Sequence, residues 1–312
     1  MFHGWIILDK PVGLGSTQAV SAVKRVLREA GEPKTKVGHG GTLDQLASGV
    51  LPIALGEATK LAGRMLEATK AYEFTVRFGE ETDTLDTEGE IVARSDVRPT
   101  PEQVAAALPR FTGAIEQVPP AYSALKIAGK RASDRTRAGE TVDIKPRLVT
   151  IYDLAIRHPR ESGGPASSKD QRDSRIRGND EVTLSCTVSK GTYIRSLARD
   201  LARSLNTVGH VTMLRRTRAG PFVIEQAISL DFLQTAAKAR QLDGAVMPLQ
   251  AALDDIPALP VTPEQAQLLR HGQKLFGFPA KPGLCMATLE GTPVALVEAA
   301  ADGLTVVRGF NL

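Results

Sequence analysis

GHGGTLDQLASGVLPIALGEATK, residues 38–60, places a histidine and a single aspartate on a glycine loop directly ahead of a long apolar run. Gly38, Gly40 and Gly41 allow a ligand to approach the backbone closely. Leu46, Ala47, Val50, Leu51, Ile53, Ala54 and Leu55 demand burial, so Asp44 lies where loop meets core. Such positions often carry catalytic groups. On these residues alone two readings of Asp44 stay open: a cap for the following turn, or a reacting carboxylate.

Composition sets wider bounds. The chain has 312 residues, enough for two domains. Lys and Arg outnumber Asp and Glu by 39 to 35, a mild basic bias of +4 compatible with RNA but not diagnostic of it. Cys186 and Cys285 are far apart and lack a CxxC partner, which argues against a disulfide framework or a structural zinc and fits a reducing cytoplasm. No charged region followed by an apolar stretch opens the chain, and no apolar run reaches the roughly eighteen residues of a membrane span. The expectation is a soluble, unprocessed, cytoplasmic protein.

Local patterns give the elements. Trp5 to Leu8 reads as a short strand entering a turn at Asp9-Lys10-Pro11. Ser16 is placed to cap a helix with Ala19, Val20, Val23, Val26 and Leu27 on one face, ended by Gly31. From Tyr72 to Phe78 the residues alternate as in a half-buried strand. Thr100-Pro101-Glu102-Gln103 and Thr262-Pro263-Glu264-Gln265 are capping boxes with proline at the first helical position. A helix is expected after Thr192, with Arg195, Arg199 and Arg203 as a basic stripe beside its apolar face. Such a stripe, met alone, reads as a solvated face. Residues 159 to 181 lack apolar periodicity and read as a disordered or exposed insert. Pro257, Pro260 and Pro263 mark a linker, followed by short strands to Leu312. Strands and helices without regular alternation predict an α+β fold.

Residues 38–60 resemble the central motif of the tRNA pseudouridine-55 synthases, whose pattern is GHTGTLDPxAxGxLP followed by GEATK. Gly40 stands for the usual threonine and Gln45 for the usual proline. Further family-like pieces follow in order: WIILDKPVG at Trp5 to Gly13, KAYEF at Lys70 to Phe74, PPAYSALKIAGKR at Pro119 to Arg131, KGTYIRSLARDL at Lys190 to Leu201 and HVTMLRR at His210 to Arg216. The resemblance implies a pseudouridine synthase fold: a mixed, mainly antiparallel sheet flanked by helices over residues 1–250, plus a small PUA-like β-barrel over 257–312 that binds RNA.

It also implies a chemistry and its residues. Asp44 would be the nucleophile, Arg195 its cationic partner, and Tyr72 the aromatic that stacks on uracil and helps move the C5 proton. Tyr193 and Leu214 would line the pocket. His39 would stack where flipped bases leave the T loop, and Lys10, Gly41 and Thr42 would complete the substrate site. Lys126, Lys130 and Arg131, with Arg135, Arg137, Lys145 and Arg147, match a mobile RNA-gripping segment in which Ser133 replaces a usual aromatic. Arg215, Arg216 and Arg218 form another basic cluster, set against RNA backbone. Asp83, Asp86 and Glu88 lack EF-hand spacing and read as a turn. No metal and no cofactor is expected, and the partner is the T stem-loop of tRNA, bound by a monomer. The alternatives are a pseudouridine synthase acting on another RNA and a catalytically silent RNA-binding protein.

Overall fold

A computed structural model describes residues 1–157 and 180–312. The expected insert at 159–181 therefore lies outside the described residues except for Asp180 and Glu181, and Glu181 already opens a strand. Contacts divide the chain into two compact units, one of residues 1–43, 50–66 and 219–312, the other of 44–49 and 67–218.

In the first unit, strand Gly4–Lys10 pairs antiparallel with Met247–Pro248, and Val37–His39 pairs antiparallel with Ser48–Leu55. Trp5 anchors the core: its indole N–H donates to the Leu249 carbonyl at 3.0 Å and its ring tilts against Phe222 at 5.4 Å. The Ser16–Glu29 helix buries Ala19, Val20, Val23, Val26 and Leu27, the face read from the sequence. Ser16 is not its cap. The N-cap is Gly15, and the Gln18 side chain accepts from the Gly15 N–H at 2.8 Å.

The proline-marked stretch after residue 256 is not a linker. Ala258–Pro260 is a strand paired in parallel with Gly283–Leu289, and Pro263 begins a helix closed by the Thr262 capping box. A proline costs least on such an edge strand, where one N–H side faces away from the ladder. The five-stranded sheet runs Ala258–Pro260, Gly283–Leu289, Thr292–Ala300, Gly303–Gly309, Leu275–Phe276. Its alternating residues feed two cores. Cys285, Ala287, Ala295 and Val297 pack on the Pro263–Arg270 helix side with Leu269, while Met286 and Leu296 join Trp5, Ile7 and Phe310.

The second unit is built on a mixed sheet ordered Ser48–Gly49, Gly209–Ala219, Lys70–Phe78, Glu181–Val188, Arg147–Ile156, Gly113–Gln117. Arg215 and Arg216 pair in parallel with Ser48 and Gly49, and the three outer pairings are antiparallel. Only glycine fits at 49: its φ is +101°, and a Cβ there would meet the Arg216 carbonyl oxygen at 2.2 Å. Phe74, Val76 and Phe78 are buried as the alternation requires. The Ile194–Ser204 helix buries Ile194, Leu197, Ala198, Leu201 and Ala202.

Lys70 opens the central strand with its side chain buried and its ammonium donating to the Ala68 carbonyl at 2.6 Å. Burial, helped by the nearby Arg216 charge, pushes it down to about 8. An unfolded lysine titrates near about 10.4, so between these values the unfolded chain holds more protons at this site. The penalty for charging Lys70 is thus fully present below the lower value and is relieved as pH rises through the window. Urea unfolding across that window should show a stabilising slope that Lys70→Met flattens. An identical slope in the variant would contradict the assignment.

Candidate active site

The sequence fixes Asp44 at the start of a turn, and the structure shows how. Its backbone carbonyl accepts from the Ala47 N–H at 3.1 Å, so the main chain closes the turn and the carboxylate is left for other work. Asp44 Oδ2 lies 2.8 Å from Arg195 Nη2. The Asp44 side chain is 41% exposed and that of Arg195 only 7%. One half-open carboxylate is therefore held by one buried cation.

Arg195 sits in the first turn of the Ile194–Ser204 helix, and both terminal nitrogens of its guanidinium are engaged. Nη1 donates to the Thr84 carbonyl at 2.8 Å and Nη2 to the Tyr122 carbonyl at 3.0 Å. Nη1 also lies 3.2 Å from Asp86 Oδ2, a carboxylate only 3% exposed. Asp86 Oδ1 in turn accepts from the Thr84 hydroxyl at 2.6 Å and the Glu88 N–H at 3.0 Å. The planar fork is thereby locked by acceptors from two segments, the Thr84–Asp86 turn and Tyr122, before it reaches Asp44. The Asp83–Glu88 stretch is a turn, as expected, but Asp86 is more than that: it is the second carboxylate on Arg195. The sequence signal was faint, two threonines around a carboxylate closed by Gly89, where a Cβ would strike Asp83 Oδ1 at 2.1 Å.

Beside this pair stands Tyr72. Burial raises its phenol above the usual tyrosine value, against a hydrogen bond and charge from Arg216, while the Asp44 charge adds to the rise. It is thus a neutral donor at neutral pH. Arg216 is 1% exposed, which corrects its reading as part of an RNA-facing cluster. The strand period explains this: Leu214 and Arg216 fall on the buried face and Arg215 between them does not. The expected apolar wall, Leu214, is buried on that same face. Tyr193 is the residue preceding the Ile194–Ser204 helix, its N–H held at 2.8 Å by the side chain of buried Gln117, a positioning group the sequence did not suggest. Cys186 is paired in register with Tyr72, and burial pushes its thiol up to about 12, leaving it a neutral packing group.

Of the remaining expected residues, His39 ends the short Val37–His39 strand and accepts from the Gly41 N–H at 3.4 Å. Gly41 has φ +131°, which requires glycine, and Thr42 is exposed. Lys10 is fully buried, with its ammonium donating to the Pro11 and Leu14 carbonyls at 2.9 and 2.6 Å. That geometry shapes the turn ahead of the Ser16–Glu29 helix. Lys126, Lys130 and Arg131 are exposed on a two-stranded hairpin whose turn residues Ala128 and Gly129 both have positive φ. This twist-matched turn projects the charges into solvent. Of the stripe beyond Arg195, Arg203 is solvated and pairs with Glu81, whereas Arg199 is largely covered, pairing with Asp200 and donating to the Val118 carbonyl at 3.1 Å.

Gly40, one departure from the family pattern, is packed closely. Its N–H donates to the Pro52 carbonyl at 2.8 Å, and a Cβ there would come within 2.7 Å of Met65 Cβ. Met65 occupies the space a larger residue at 40 would need. Gly40→Thr should therefore destabilise by about 1–3 kcal/mol through overpacking. Adding Met65→Ala should recover part of that loss, giving a favourable coupling of about 0.5–3 kcal/mol in a double-mutant cycle by denaturant unfolding. Strict additivity would contradict the proposed contact.

Comparison with known proteins follows the same outline. Residues 24–194 match the model of the TruB family pseudouridylate synthase N-terminal domain, and 195–254 that of the tRNA pseudouridylate synthase B C-terminal domain. The chain is 58% identical over 309 residues to tRNA pseudouridine synthase B of Zymomonas mobilis, covering 99% of this chain and 96% of that one. It is 58% identical to the protein of the same name from Novosphingobium aromaticivorans over 312 residues, covering 100% and 98%. Among solved structures, it superposes with TM-score 0.70 at 23% identity on a chain of an H/ACA RNP bound to a substrate RNA containing 2′-deoxyuridine, covering 99% of this chain and 86% of that one. A chain of a Cbf5-Nop10-Gar1 complex gives 0.69 at 26% identity, with 99% and 84% covered.

Proposed function

The chain belongs to the TruB family of pseudouridylate synthases, and from that membership we propose that it converts uridine to pseudouridine in transfer RNA, at position 55 of the T loop, with Asp44 as the reacting carboxylate. The observation that carries the assignment of Asp44 is its 2.8 Å contact to a buried arginine that is itself fixed by Asp86 and two carbonyls. A carboxylate so held stays aimed while its half-exposed side chain can meet a ligand.

The reaction breaks the N1–C1′ bond of uridine and forms C5–C1′, and the C5 proton leaves as the product rearomatises. Atoms and electrons balance without oxidation. One carboxylate serves the difficult step on either of two routes, attack on the sugar carbon or removal of a ribose proton. Tyr72, neutral and beside the site, is suited to stack on uracil and to assist the proton transfer at C5. Tyr193 and Leu214 would enclose the base. A T-loop uridine has to be everted to reach Asp44, at a cost of a few kcal/mol, and His39 would fill the space it leaves.

Phosphate contacts from the Lys126–Arg131 hairpin supply affinity that falls with salt. Gly41 and Thr42 bring backbone to the substrate, and Lys10 shapes the Pro11–Leu14 turn through its ammonium. We assign catalysis to residues 1–250 and RNA binding to the PUA-like 257–312 segment, the chain working alone in the cytoplasm. No helix among the described residues is long and apolar enough to cross a membrane.

The test uses T-arm RNA carrying tritium at uracil C5. Wild-type protein should release label without added metal or nucleotide. Asp44→Asn should bind the RNA with affinity within about threefold of wild type yet lower release by at least about 10³-fold, the scale expected when the reacting group itself is lost. Equal release by both proteins would refute the assignment.

A further inference from the structure

Asp44 owes its position to more than its contact with Arg195, because that contact is made by a half-exposed side chain at one oxygen. The backbone directly before it is held by a hydroxyl. Ser16 Oγ accepts from the Leu43 N–H at 2.8 Å and donates to the Leu43 carbonyl at 2.9 Å. Ser16 and Leu43 are both buried, 27 residues apart in the chain. The Leu43 N–H belongs to the peptide joining Thr42 to Leu43, and its carbonyl to the peptide joining Leu43 to Asp44. One side chain therefore fixes both peptide planes of the residue that delivers Asp44.

We infer that Ser16 is a positioning residue for the reaction: it sets the backbone from which the Asp44 carboxylate is aimed. Three observations support this role. The helix it begins does not use it for capping, since Gln18 bonds the Gly15 N–H and Gly15 stands at the N-cap. Leu43 lies outside any strand, so no ladder satisfies its N–H and carbonyl in place of Ser16. Lys10 prepares the arrangement by bonding the Pro11 and Leu14 carbonyls, which shapes the turn entering the helix at Ser16. On the far side the Asp44 carbonyl is held by the Ala47 N–H. The main chain around Asp44 is thus pinned before and after it, and the side chain can exchange partners while its Cα stays in place.

Buried backbone groups need partners, and the Ser16 hydroxyl both accepts from and donates to Leu43. Ser16→Ala would leave both Leu43 groups without that partner and let the peptide plane rotate. Since a misplacement of about 1 Å can cost about 10²-fold in rate, the loss should fall on the chemical step.

This inference rests on Asp44 being the reacting group. The experiment measures single-turnover tritium release, tRNA affinity and urea unfolding for wild type, Ser16→Ala, Ser16→Thr and Asp44→Asn. Ser16→Ala should slow release by about 10- to 100-fold with affinity within about twofold, and Ser16→Thr should keep the rate within about threefold of wild type. Release by Ser16→Ala within twofold of wild type would overturn the inference. So would loss of affinity or of folding in proportion to rate, or a threonine variant as slow as the alanine one. Undiminished release by Asp44→Asn would instead sink the underlying functional reading.

Discussion

A buried guanidinium shared between two carboxylates is the constraint around which the second unit is organised. Arg195 carries a charge that cannot be left uncompensated out of water. Asp86, even more deeply buried, answers it from a tight turn, and the Thr84 and Tyr122 carbonyls fill further positions of the fork. Asp44 takes the remaining direction and is the only one of the two carboxylates substantially exposed. A buried ion pair adds little to net stability once desolvation is counted. Its value here is geometric: a planar donor set, fixed by the Thr84–Asp86 turn and the Tyr122 carbonyl, holds one half-exposed carboxylate. Lysine could match the charge but not the fork.

The same economy appears in the neighbouring groups. Tyr72 is kept protonated by burial although Arg216 works against it, and the Arg216 backbone is pressed so closely on Gly49 that only glycine is accommodated. Gly49 belongs to the turn-and-strand segment that begins at Asp44. The site is therefore supported through backbone packing as well as through charge. The hairpin charges Lys126, Lys130 and Arg131 are arranged oppositely, exposed beside a twist-matched turn where their solvation costs little.

Much of this was legible in the sequence wherever the determining interaction is local. The apolar face from Ala19 to Leu27, the capping boxes at Thr100 and Thr262, and the alternation from Phe74 to Phe78 each depend on neighbours a few residues away. The Asp44–Arg195 partnership came from motif resemblance, since spacing alone would leave Arg195 in a solvated stripe with Arg199 and Arg203. What escaped reading depends on contacts between distant segments. Asp86 looked like a turn residue because its partner lies more than a hundred positions on. Ser16 looked like a helix cap because the Leu43 peptide it holds is remote. The packing at Gly40 escaped because the Met65 side chain filling its space is on another element. Pro257, Pro260 and Pro263 suggested a linker because proline punctuates both linkers and edge strands. Arg216 suggested a surface cluster because charge density conceals strand parity.

The central claim is that the arginine-held carboxylate of Asp44 meets the sugar of an everted uridine. A crystal structure of the Asp44→Asn protein with T-arm RNA tests it most directly. The account predicts the target base outside the T-loop stack, with the side-chain oxygen of residue 44 within about 3–3.5 Å of the ribose C1′ or C2′ position. A bound RNA whose target ribose stays beyond reach of that oxygen, with a different acidic side chain against the sugar, would contradict it.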